Sequence, residues 1–68
     1  MNITEKIKLA EHWIKKLKTQ IDELNIKISK AEEWSVRRAL VEDKMRAENN
    51  LADWKIELDK VKEKVLNP

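Results

Sequence analysis

Few residues in this 68-residue chain have the types and spacing that chemistry requires. There is no Cys, so thiol nucleophiles, zinc thiolates and disulfides are excluded. There is no Gly, which removes the phosphate-cradling loops whose backbone must approach a ligand closely. His12 is the only imidazole, and three or four residues to either side of it stand Lys8, Leu9, Lys15 and Lys16. None of these ligates a metal at neutral pH, so no helical metal pair forms and a solvated histidine is expected. The carboxylates alternate with lysines, which is the pattern of salt bridging along a helix surface. Acid–base catalysis instead needs carboxylates converging in a concave site. The chain reads as non-enzymatic, with no catalytic residue, metal ligand or cofactor.

Two groups of residues are suited to binding. Trp34 stands beside Arg37 and Arg38, and an aromatic next to arginines is the usual make-up of a protein-binding hot spot. Trp13 is the second aromatic candidate for such a surface. Lys15, Lys16, Lys18 and Lys55 form the other group, a modest basic patch that could meet phosphates of RNA or DNA. The competing reading is a solvated lysine face. With 15 basic and 13 acidic side chains the net charge is only +2, too balanced to imply nucleic acid by itself.

The elements that carry these residues follow from apolar spacing. Ile3, Ile7, Ala10, Ile14, Leu17, Ile21, Leu24, Ile28 and Ala31 recur in steps of four and three. This period of about 3.5 residues belongs to a helix burying one narrow seam against another helix. Asn2 is a good N-cap, with Glu5 three residues on as in a capping box. Beyond Ala31 the pattern fails, since continuing it would bury Ser35 and Arg38. A second seam then runs through Leu40, Ala47, Leu51, Trp54, Leu58, Val61 and Val65, with Lys44 as its polar member. At roughly 100° per residue, the step from Ala31 to Leu40 turns the apolar face by about half a revolution. One straight helix would carry the two seams on opposite sides, whereas a reversal brings them face to face.

The numbers of facing residues support the reversal. From Ala31 opposite Leu40 to Ile7 opposite Val65, they add to 71 or 72. The expected fold is therefore all-α: an antiparallel, coiled-coil-like two-helix hairpin forming a single domain over residues 1–68. Helix one is expected over about 3–33, the turn over about 34–36 and helix two over about 36–66. Ser35 is the expected cap of helix two. The turn lacks Gly, Pro and Asn, the usual turn residues. The rival arrangement is one long helix pairing antiparallel with a second copy. Lysines near the C-terminus suit the helix dipole, and Asn67-Pro68 ends the second helix.

In the hairpin Trp54 is core, and Trp13 flanks the first seam, to be buried by another chain or another part of the fold. Trp34 either binds a partner or folds back to plug the end of the hairpin, which is the expected arrangement. Leu9, Ile26, Val41, Met45, Ile56 and Leu66 lie off both seams, more apolar surface than solubility favours. A core this small is marginal alone. Both features point to a homodimer in which two hairpins stack as a four-helix bundle. Lys27 should meet Asp43 and Glu11 should meet Lys62; Lys18 with Lys55, and Lys6 with Lys64, are unfavourable like-charge pairs.

No apolar run nears the ~20 residues a membrane span needs, and no signal-peptide core opens the chain, so a cytoplasmic protein without membrane contact is expected. Abundant Lys, Ile and Asn suggest an AT-rich bacterial or phage genome. The architecture resembles that of Rop-type proteins, dimers of helical hairpins that bind paired RNA loops; the resemblance is of shape and transfers no residue roles. The leading expectation is a protein-interaction module (adaptor, assembly factor or steric inhibitor) that binds a larger protein. The alternatives are a Rop-like RNA-binding regulator using the lysine patch and a purely structural coiled-coil oligomer.

Overall fold

With its one Pro at the C-terminus and no Gly, the chain has nothing inside its seams to break a helix. The computed structural model describes residues 2–66, with side chains to Lys64. It has two helices, α1 over Ile3–Lys30 and α2 over Trp34–Leu66. The Asn2 side chain caps α1 by accepting the Glu5 N–H at 2.8 Å. Glu5 in the first turn and Lys27 and Lys30 in the last complement the helix dipole. The helices pack against each other along their length in a rod of 53 × 16 × 14 Å.

The 3.5-residue pattern decides which side chains leave water. Ala10, Leu17, Leu24, Ala47 and Val61 are buried. Ile7, Ile14, Ile21, Ile28, Ala31, Leu40, Lys44, Leu51, Trp54 and Leu58 are half-buried. Every other described side chain is exposed, including Ile3, the first residue of α1. Burial is uneven across the seam. In α1 the deepest residues recur every seven, at Ala10, Leu17 and Leu24, while the isoleucines beside them keep one edge in water. The side chain of Val65 lies outside the described residues, as do Asn67 and Pro68.

The turn falls earlier than the sequence spacing suggests. α1 stops at Lys30 and α2 starts at Trp34, so the connection is residues 31–33 and not 34–36. Ala31 leaves the helix in an extended conformation, φ −73° and ψ 122°, and its N–H closes a tight last turn on the Ile28 carbonyl at 3.3 Å. No described residue has positive φ, which is why the reversal needs no Gly or Asn. Ser35 does not cap α2 but lies inside its first turn. The residue before the helix is Glu33, whose carbonyl accepts the Arg37 N–H at 3.0 Å. A pair of glutamates just ahead of α2 also suits its positive end. Arg37 reaches back across the turn and donates from its guanidinium to the Ala31 carbonyl at 3.2 Å. That bond satisfies a carbonyl the end of α1 leaves unpaired.

The facing pairs shift with the turn: Trp13 and not Leu17 stacks on Trp54, so the facing numbers add to 67 there and not to 71, a relative slide of about four residues, close to half a heptad. A slide of that size exchanges one seam position for the next and leaves the same side chains inward. Burial therefore follows the seams even though the centre of the hairpin moves.

Candidate functional site

The hollows along the rod are open grooves on its two flanks. Among the described residues no group of three His, Cys, Asp or Glu side chains could hold a metal, and no helix is long and apolar enough to cross a membrane. What the fold positions is apolar and aromatic surface, in two places.

The first lies on α2, beginning at the turn. Trp34 is 72% exposed, so it does not plug the end of the hairpin. The early start of α2 puts it in the first turn of the helix, where its indole projects into water. The Arg38 guanidinium lies over the ring, 5.3 Å from its centroid, and pairs with Glu42 at 3.6 Å. Both charged groups of that pair are exposed, so it adds little stability. Val41 and Met45, both exposed, follow at the next helical steps. Trp34, Arg38, Val41, Met45, Glu48 and Ala52 are spaced four, three, four, three, four. They form one continuous stripe on α2, outside the seam that faces α1. Arg37, in contrast, is committed to the turn through Ala31.

The second place is on the opposite flank, more than halfway along α1 from the turn. Trp13 stacks on Trp54 across the two helices, with centroids 6.4 Å apart and planes 12° apart. His12 meets its edge at 5.7 Å, and the Lys16 ammonium sits 5.2 Å from the ring centroid. Trp13 is thus covered in part by the hairpin itself, yet 37% of it faces water, beside the equally exposed Leu9. The structure does not bring Trp13 and Trp34 together. The 17 residues between Trp13 and the end of α1 correspond to about 26 Å of helix.

The four lysines are not gathered either. Lys16 lies over Trp13, and Lys15 shares an open hollow with it, His12 and Glu23. Lys18 and Lys55 do face one groove, with Ile21, Leu51 and Ala52 in its floor, but Asp22 and Glu48 line the same groove. Carboxylates likewise accompany Lys6 and Lys64, which share a hollow with Glu57 and Glu63. Lys27 and Asp43 line one groove as expected, though the ion pair of Asp43 is with Arg46, at 3.4 Å.

The stripe on α2 was legible only in fragments. Val41 and Met45 stood out as off-seam apolar residues and Trp34 as a hot-spot type. Their common line emerges only once α2 is known to start at Trp34. The cation–π contact of Lys16 with Trp13 had no signal beyond helical spacing, and the reach of Arg37 to Ala31, six residues back across the turn, had none. No protein-family model, curated protein or solved structure matches the chain.

Proposed function

We propose that the chain is a non-enzymatic protein-interaction module, an adaptor, assembly factor or steric inhibitor that works by docking its helix faces on protein. It acts as a homodimer, two hairpins stacked in a four-helix bundle, and holds a larger protein on what the dimer leaves free. The observation that carries this reading is the exposed Trp34 with Arg38 stacked on it, at the head of a stripe that continues through the exposed Val41 and Met45. Aromatic and arginine anchors of this kind supply most of the energy in protein interfaces. Leu9 and Trp13 on the other flank offer a second apolar surface. One surface is assigned to self-association and the other to the larger protein.

Nucleic acid is the weaker reading. Lys18 and Lys55 share their groove with two carboxylates, and Lys16 is engaged with Trp13, so the lysines present no continuous basic track. A deciding experiment is capture of the tagged chain with its associates from cell extract, with and without nuclease. A stoichiometric protein that survives nuclease supports the module. Loss of the bound material on nuclease treatment, with affinity falling steeply as salt rises, would favour the RNA-binding alternative.

A further inference from the structure

The stripe on α2 reads as a heptad seam without a partner. We infer that its occupant is a second copy of the same stripe, docked antiparallel about a two-fold axis level with Asp43. This rests on the interaction-module reading and specifies which surface makes the dimer.

The residue order is self-complementary. Antiparallel pairing about that axis sets Trp34 against the partner's Ala52, Arg38 against the partner's Glu48, and Val41 against the partner's Met45. Each pair then occurs twice, as an isologous contact requires. Large meets small at both ends, two ion pairs flank the centre, and the middle is apolar. The neighbouring registers lose this match. Sliding by one heptad sets Arg38 against Lys55 in one direction and against Val41 in the other. Sliding by half a heptad sets it against Met45 or Ala52.

The groove beside Ala52 fits what would enter it. Ile21, Leu51 and Ala52 supply its apolar lining, and Lys18 and Lys55 line it together with Asp22 and Glu48. An indole placed there lies between two ammonium groups, an arrangement the ring's negative face favours. Arg38, stacked on Trp34, arrives at the same groove beside Glu48. The half-buried edges of Ile21 and Leu51 lie along this flank, so the contact extends the existing core.

The test is the molar mass of the whole chain by sedimentation and light scattering from micromolar to millimolar concentration. Arg38→Glu and Glu48→Arg are measured alone, mixed, and combined in one chain. Both sites are exposed, and circular dichroism verifies that each variant stays helical. The wild type should reach twice the chain mass. Each single reversal should raise the dissociation constant at least about a hundredfold, because it creates two like-charge contacts. The equimolar mixture and the double variant should recover the dimer. Ala52→Trp, a change on the exposed face of α2, should block the dimer by filling the groove. A wild-type chain that stays monomeric at millimolar concentration overturns the inference, as does a dimer indifferent to all these changes. A mixture that stays monomeric while both singles are helical also overturns it. A monomer that still captures a protein from extract sinks the second copy as occupant and leaves the interaction module standing.

Discussion

Two heptad stripes run along α2 and share a helix, a spacing and a length scale. The inner one, Leu40, Lys44, Ala47, Leu51, Trp54, Leu58 and Val61, is buried or half-buried against α1. The outer one, from Trp34 to Ala52, is bare. Their difference is compositional. The inner stripe has one polar member, Lys44, and so gains from burial almost wherever it meets another apolar seam. The outer stripe places Arg38 and Glu48 among its apolar residues. Burying those charges is costly unless each meets an opposite charge. The inner stripe therefore folds the hairpin, and the outer one could be buried only against a surface that matches its charges. Tethering sharpens the contrast. The turn holds α1 beside the inner stripe at high effective concentration, whereas a second molecule must be recruited from solution.

The largest effect that would break this contrast is in the inner stripe's partner. Leu17→Ala removes a buried side chain of the central cluster. It should cost about 2–5 kcal/mol. For a domain this small that approaches the whole stability, so thermal circular dichroism should show a chain largely unfolded at 25 °C. Trp34→Ala should leave helix content unchanged and weaken self-association by about 2 kcal/mol, roughly 30-fold in dissociation constant by sedimentation. If melting and not association responds, Trp34 belongs to the hairpin and the two stripes are not independent. Arg37→Ala, at the turn between the stripes, should cost about 1 kcal/mol through loss of the bond to Ala31. That corresponds to a fall of about 4–8 °C in Tm. Glu42→Ala should change stability by less than about 0.5 kcal/mol, because its pair with Arg38 is exposed. It should leave self-association intact or tighten it, since Arg38 is then free for an acid on another molecule.

How far the sequence could be read differs between the same two stripes. The inner seam was legible because burying one face of a long helix requires an apolar residue at each inward step, and no other period in the chain competes with it. The nine-residue step between Ala31 and Leu40 carried the reversal for a similar reason: one straight helix cannot bury two opposite faces against a single neighbour. The outer stripe was harder to see. Its apolar members are fewer, two of its six positions are charged, and its first residue seemed to belong to the turn.

The sequence alone therefore determined a two-helix, all-α chain and the residues of its inner seam, since periodicity is a property of the chain itself. Tertiary structure decided where the chain turns, because Ala31 reverses it at ordinary backbone angles that no residue type announces. It decided that Arg37 closes the turn, which depends on how close the two helix ends come. It decided that Trp13 stacks on Trp54, since their meeting depends on the register between helices, and a seam repeating every half-heptad leaves that register open.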